Sequence, residues 1–196
     1  MFVLTIDQRR SRRDVDRVPD LLDHYDAAPL LRGFERTAGD EVQAVSDRAD
    51  QVVDIALDLA TTGSWSVGIG VGPVRMPLPA STRAGRGPAF EAARAAVDRA
   101  KGLPGAIAVA GPPGVDTGRV ADAEAALMLL SLTVSRRSDA GRAAVAAVAA
   151  GLTQAEAAQR LGISKQAVSQ RLSVAGRQAE VAGRRLAARL LVEADR

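Results

Sequence analysis

Residues 152–172 read Leu152-Thr-Gln-Ala-Glu-Ala-Ala-Gln-Arg-Leu-Gly-Ile-Ser-Lys-Gln-Ala-Val-Ser-Gln-Arg-Leu172, which spells two short helices joined by a tight turn. Ala157, Ala158 and Leu161 form one apolar stripe, and Gly162 permits the sharp turn. Ile163 fills the gap between the helices, and Val168 and Leu172 form a second stripe four residues apart. Ser164 is positioned to cap the second helix, its side-chain oxygen accepting a backbone N–H two or three residues on. With the apolar positions turned inward, Lys165, Gln166, Ser169, Gln170 and Ser173 share the outer face. That face carries donors and acceptors and no acid. It is the surface expected of a helix in the major groove, where Gln pairs bidentately with adenine and Lys with O6 and N7 of guanine. The expectation is a helix-turn-helix over 153–173 with double-stranded DNA as partner. Ser164 and the five outer residues face the groove, and Arg171 and Arg177 reach phosphates.

Any helical hairpin needs a glycine turn and inward Leu, Ile and Val. What sets this one apart is the combination of small Ala158, Gly162, the Ile163 plug, the Ser164 cap and an acid-free outer face. The segment resembles the helix-turn-helix of many bacterial repressors and of the DNA-binding region of sigma-like factors, a resemblance that identifies a module.

Charge is distributed to match. From Ala121 onward there are 11 Lys and Arg against 7 Asp and Glu, whereas the first 120 residues carry 15 against 16. Positive charge accompanying the hairpin is the footprint of phosphate-backbone binding. Aromatic residues make up only 3%, which argues against single-stranded nucleic acid, where bases stack on Phe, Tyr or Trp. Cysteine is absent and His24 is the single histidine, so disulfides are excluded and a zinc site nearly so. A reducing cytoplasm is the expected location. The N-terminus runs from Met1-Phe-Val-Leu-Thr-Ile6 into Asp7 and four arginines, the reverse of a signal peptide's charge order. The longest apolar run, Ala143 to Ala150, is far short of the ~20 residues that span a membrane.

Upstream, strand and helix signals alternate. Phe2 to Ile6 is a short β-rich run, and Arg12 to Tyr25 places Val15, Val18, Leu21, Leu22 and Tyr25 at helical spacing. Phe34 to Thr37 and Glu41 to Val45 flank the hairpin signal Ala38-Gly39-Asp40. Asp47 is placed to cap a helix reaching about Ala60, and Trp65 to Val71 alternates like a strand whose two glycines imply close approach of another backbone or a ligand. After a Pro- and Gly-rich loop from Gly72 to Gly87, Pro88 to Lys101 reads as a helix with Pro in its first turn, and Ala106 to Val109 closes as a strand. The order is βαββαβ, the ferredoxin-like arrangement. The fold class is therefore α+β: a ferredoxin-like domain over 1–111, a linker over 112–120 marked by prolines and glycines, and a helical DNA-binding domain over 121–196. The helix from Ala121 to Ser135 is too apolar for a spacer, so it packs on the N-terminal domain or pairs with its own copy.

In such a sheet the first and third strands are neighbours, so Asp7 and Asp40 converge on one edge and form a candidate Mg²⁺ pair with room for a nucleotide. Gln8, Arg9, Arg10 and Ser11, with Arg12, Arg13 and the more distant Arg94, are candidate phosphate contacts. Ile6-Asp7, Gly39-Asp40, Val67-Gly-Ile-Gly-Val-Gly-Pro73 and Gly87-Pro-Ala-Phe-Glu-Ala-Ala-Arg94 resemble, in the same order, the motifs of class III nucleotidyl cyclases, and the resemblance implies that Asp7 and Asp40 bind the metal. Cyclases steady the transition state with an asparagine and an arginine one helical turn apart, and this chain contains no asparagine. No catalytic residue is assigned. Leu4-Thr-Ile-Asp-Gln-Arg9, Phe34-Glu-Arg-Thr-Ala-Gly-Asp-Glu-Val-Gln43 and the C-terminal hairpin together resemble the SatD-like proteins of bacteria along nearly the whole length.

Three functions fit these residues. The first is a homodimeric DNA-binding regulator whose N-terminal domain senses a nucleotide or metal. The second is a Mg²⁺-dependent enzyme acting on a nucleoside triphosphate, and the third is a protein–protein module using the hairpin. The missing asparagine weighs against the enzyme, and the outer face from Lys165 to Ser173 weighs against the third.

Overall fold

Alternation builds the sheet. In the computed structural model, which describes residues 1–196 apart from the side chain of Arg12, β1 (Phe2–Gln8) turns Phe2, Leu4 and Ile6 to one face and Val3, Thr5 and Asp7 to the other. It lies antiparallel to β3 (Glu41–Ser46) on one side and β4 (Trp65–Val71) on the other. β2 (Arg32–Ala38) pairs antiparallel with β3, and β5 (Ile107–Ala110) runs parallel to β4, giving the order β2-β3-β1-β4-β5. The helices are α1 (Val18–Tyr25), α2 (Ala49–Thr61), α3 (Pro88–Ala100), α4 (Thr117–Ser135), α5 (Asp139–Ala149), α6 (Gln154–Leu161), α7 (Lys165–Val174) and α8 (Arg177–Ala194). The described residues thus form an α+β fold of a five-stranded mixed sheet and eight α-helices. Among them no helix is long and apolar enough to cross a membrane.

The two faces of the sheet are covered differently. Phe2, Leu4, Ile6, Val42, Val67 and Ile69 pack under α2, and α4 and α8 add Ala123, Leu127, Ala187 and Leu191 to the same core. Of the two placements open to the helix after the linker, packing on the sheet unit is the one realised. The opposite face is covered by α3, whose Ala89, Phe90 and Ala93 meet Val3 and Val45 while Ala96 and Ala100 meet Ala108. The glycines of β4 explain how close α3 comes: a Cβ at Gly68 would sit inside the backbone of Val97 and Ala93, and one at Gly70 inside that of Ala89 and Ala93. The close approach read from those glycines is therefore made by a helix backbone.

Three local expectations change. The helix expected from Arg12 begins only at Val18, with Pro19 in its first turn, and residues 11–13 form a 3₁₀ turn instead. Gln8 imposes this break: buried at the end of β1, it donates Nε2 to the Val15 carbonyl (2.7 Å) and accepts the Arg17 N–H (2.9 Å), so Val15 stays in solvent. Asp47 does not cap α2; the hydroxyl of Ser46 accepts the Arg48 N–H (3.1 Å) ahead of a helix with no side-chain cap. Finally, α4 starts at Thr117, inside the stretch read as linker, because the Asp116 carboxylate accepts the N–H groups of Gly118 (2.9 Å) and Arg119 (3.2 Å).

Candidate nucleic-acid interface

Short helices need defined ends. α6 is opened by a reciprocal cap: Thr153 Oγ1 accepts the Glu156 N–H (3.3 Å), and the Glu156 carboxylate accepts the Thr153 N–H (2.8 Å). The Thr153 N–H and hydroxyl, both donating to the carboxylate, hold the exposed Glu156 carboxyl below its ordinary pKa. The helix stops at Gly162, which takes the left-handed conformation (φ 64°), and the Ile163 N–H wraps back to the Ala158 carbonyl (3.1 Å). Ser164 then opens α7, its hydroxyl accepting the Ala167 N–H (3.1 Å). The result is a helix-turn-helix over the residues the sequence assigns to it.

Its core is small. Ala147 of α5, Ala157 and Ala158 of α6 and Val168 of α7 are buried together, with Val148, Leu152, Ile163 and Leu172 packed half-buried against them. Leu161, expected inside, is only half-buried and stands outside this cluster, because Ala157 and Ala158 suffice to seat α6 on α7. With Val168 turned in, Ser164, Lys165, Gln166, Ser169, Gln170 and Ser173 are all exposed, and Arg171 is half-buried at the flank. No acidic residue lies between Glu156 and Glu180. Beside α7 runs a groove of about 780 Å³, lined by Ser169 and Ser173 from α7, Arg177, Gln178 and Arg185 from α8, and Gln154 from α6.

The hairpin is fixed to the sheet unit by charges of which the sequence singles out only Arg177, and that one as a phosphate contact. Arg137, buried in the turn between α4 and α5, donates Nε to the Ala175 carbonyl (2.8 Å) and Nη2 to Glu180 (2.7 Å). Glu180, buried at the start of α8, also meets Arg177 (3.2 Å) and Arg184 (2.8 Å), and Arg184 reaches Asp54 of α2 (2.7 Å). Burial pushes the Glu180 carboxyl up, but the bonds from Arg137 and Arg184 outweigh it and hold the group below its ordinary value. Only the spacing of Arg177, Glu180 and Arg184 along one helix signals part of this network in the sequence.

On the sheet, Asp7 pairs in register with Glu41, and the Gln8 N–H bonds the Asp40 carbonyl (3.4 Å), so Asp7 and Asp40 lie at the same end of the sheet. The Asp7 carboxylate is met by Lys101 Nζ at 3.1 Å. Burial raises its pKa, Lys101 opposes the rise, and the nearby charges of Asp40 and Glu41 add to it. Among the described residues no group of three or more His, Asp or Glu side chains could hold a metal. Of the candidate phosphate contacts, Gln8 is committed to the backbone at 15 and 17 and is unavailable to a ligand. The Arg9 N–H bonds the Ser64 carbonyl (2.8 Å). Arg10 is exposed in a left-handed conformation (φ 59°), Ser11 is half-buried, and the side chain of Arg12 lies outside the described residues. Arg94 sits apart on α3, its Nε 4.0 Å from Glu41.

Fold and site together define an α+β protein that carries a capped helix-turn-helix beside a sheet covered by helices on both faces. The chain matches no family model, no curated protein and no solved structure.

Proposed function

We propose that the chain is a cytoplasmic, SatD-like transcriptional regulator that reads double-stranded DNA through α7. The observation that carries this reading is the outer face of α7. Six polar side chains from Ser164 to Ser173, none acidic, stand exposed on a helix whose two ends and inner face are all accounted for by caps and packing. In the major groove, Gln166 and Gln170 supply bidentate base contacts, Lys165 reaches guanine, and the serines contact either base edges or backbone. Arg171 and Arg177 neutralise phosphates. A single short reading helix buries little groove, so two copies on half-sites roughly 34 Å apart complete the interface. Leu129 of α4 and Leu186 and Val192 of α8 are among the exposed apolar residues and would serve such a homodimer.

The test is a mobility-shift titration over several salt concentrations. Gln166→Ala or Gln170→Ala is expected to cost about 1–3 kcal/mol at the preferred site and much less on random DNA. Equal loss on both, or no binding at low salt, defeats the reading.

For the N-terminal unit, the order β2-β3-β1-β4 with every neighbouring pair antiparallel supports a ferredoxin-like, cyclase-like arrangement extended by β5. The second reading, a Mg²⁺-dependent nucleotide-binding protein or enzyme, is favoured by the convergence of Asp7 and Asp40. It is weakened by Lys101, whose ammonium already stands beside Asp7 where a cation would have to stand. Those residues fit a metal poorly, and no chemical step is assigned to them.

A further inference from the structure

No acid falls between Asp58 and Glu91, the longest acid-free stretch of the chain, and Arg75, Arg83 and Arg86 lie within it. Much of this stretch is the connection from Gly72 to Gly87. Broken only by a 3₁₀ turn at Thr82–Ala84, that connection is longer than most in compact domains. It is held by side chains from β2. Arg32 donates Nε to the Pro79 carbonyl (2.5 Å) and Nη2 to the Leu78 carbonyl (2.8 Å), and the Glu35 carboxylate accepts from Ser81 Oγ (2.5 Å) and Thr82 Oγ1 (3.2 Å). The Arg75 N–H bonds the Arg86 carbonyl (2.8 Å) and draws the loop's two limbs together.

Anchored this way, the loop and the start of α3 shape a solvent-open concave pocket of about 370 Å³, whose arginines stand exposed at its rim. Arg83, Arg86 and Arg94 line it, with Phe90 beneath and Glu91 as its one carboxylate. A Cβ at Gly85 would run into the Phe90 ring, and Gly87 has φ 130°, so the loop backbone lies tight against the helix and the wall is built. Among the described residues neither Arg83 nor Arg86 pairs with a carboxylate, and Arg94 comes no closer than 4.0 Å to Glu41. Guanidinium groups do not deprotonate, so the three exposed arginines give the pocket a permanently positive rim that an anion can meet.

We propose that this cavity is a binding site for a small polyphosphorylated ligand, held by Arg83, Arg86 and Arg94. Guanidinium forks match phosphate oxygens bidentately, which a field of lysines would not do. Three cations against Glu91 in the lining and Glu41 at 4.0 Å from Arg94 leave a net positive charge, and the three guanidinium forks favour a di- or triphosphate over a singly charged acid. A concave, walled cavity suits a small molecule, whereas a duplex backbone needs an extended basic surface. The site is separate from the α7 face, because α3 covers the sheet face opposite α2, α4 and α8. It is also separate from Asp7, which meets Lys101 just beyond the other end of α3.

Sodium tripolyphosphate is the probe, added to the full-length chain and followed by thermal melting and calorimetry. The melting midpoint is expected to rise with tripolyphosphate concentration, since a ligand bound only to the folded state stabilises it. Arg83→Gln combined with Arg86→Gln should weaken tripolyphosphate at least tenfold while leaving the ligand-free midpoint and duplex-DNA affinity unchanged. If the double variant melts early, Arg86→Gln alone should still weaken the probe several-fold at a normal midpoint. Four results would overturn the proposal. One is no midpoint rise at millimolar tripolyphosphate, and another is an equal rise with sodium sulfate at the same ionic strength. A third is loss of binding in Arg9→Gln/Arg10→Gln but not in the loop variant. The last is loss of duplex-DNA affinity in the loop variant with no tripolyphosphate binding, which would make the loop part of the DNA surface. Because tripolyphosphate binding is measured without DNA, failure of the α7 reading leaves this result intact.

Discussion

A carboxylate with 3% of its surface exposed is tolerated only where its charge is met, and Glu180 meets Arg137, Arg177 and Arg184. Its pKa is lower folded than unfolded, so its stabilisation is present at neutral pH and is lost as pH falls below the ordinary value of 4.5 and through the folded one. Acid titration followed by near-UV circular dichroism should therefore show loosening that begins below about pH 4.5, and Glu180→Gln should reduce that pH dependence. Arg137→Met removes the deepest partner and should cost about 3 kcal/mol in urea unfolding, because it leaves a buried charge short of a neighbour. The sequence displays Glu180 and Arg184 as an ordinary surface pair. Their burial depends on α2 and on the turn before α5, which are distant in the chain.

At the level of elements, caps and alternation were the legible signals. Gly162 and Ser164 mark the end of α6 and the start of α7 where the sequence puts them, since each rests on a local interaction between residues three or four apart. Ser164→Ala should cost about 1 kcal/mol and weaken DNA binding by loosening the start of α7; unchanged stability by thermal melting would show that the cap is dispensable. The strands were legible because period-2 patterning survives in β1, β3 and β4. The start of α1 was not, because Gln8 reaches forward to seize the backbone at 15 and 17, a tertiary effect that helical spacing cannot reveal. Gly70 reports an element-scale constraint of another kind: Gly70→Ala should destabilise by about 1–3 kcal/mol, since α3 has to move away from β4 to admit a methyl group.

For the molecule as a whole, the informative fact is that α4 and α8 belong to the main core. Apolar stripes along these helices were visible in the sequence, but a stripe does not say what covers it. The same limit hid the arginine-lined cavity, whose walls depend on Arg32 and Glu35 reaching across from β2 to a loop more than forty residues away. A shared core makes the sheet and the two long helices one cooperative unit. Urea unfolding followed by fluorescence of Trp65, buried in β4, and by far-UV circular dichroism should give coincident transitions. An earlier far-UV transition would mean that the hairpin, with only its small alanine- and valine-based core, melts on its own.

The last helix joins parts of the molecule that would otherwise be strangers. α8, with 18 residues and so about 27 Å long, starts beside the tip of α7. It ends at Asp195, whose carboxylate accepts the N–H of Gly72 at 2.7 Å, the residue that opens the arginine-bearing loop. It is a continuous helix with one end beside α7 and the other bonded to the first residue of the loop that shapes the arginine-lined pocket. If both sites are filled as proposed, tripolyphosphate and operator DNA should alter each other's affinity by the same factor, as linkage requires, and Asp195→Ala should bring that factor towards one while each partner alone still binds.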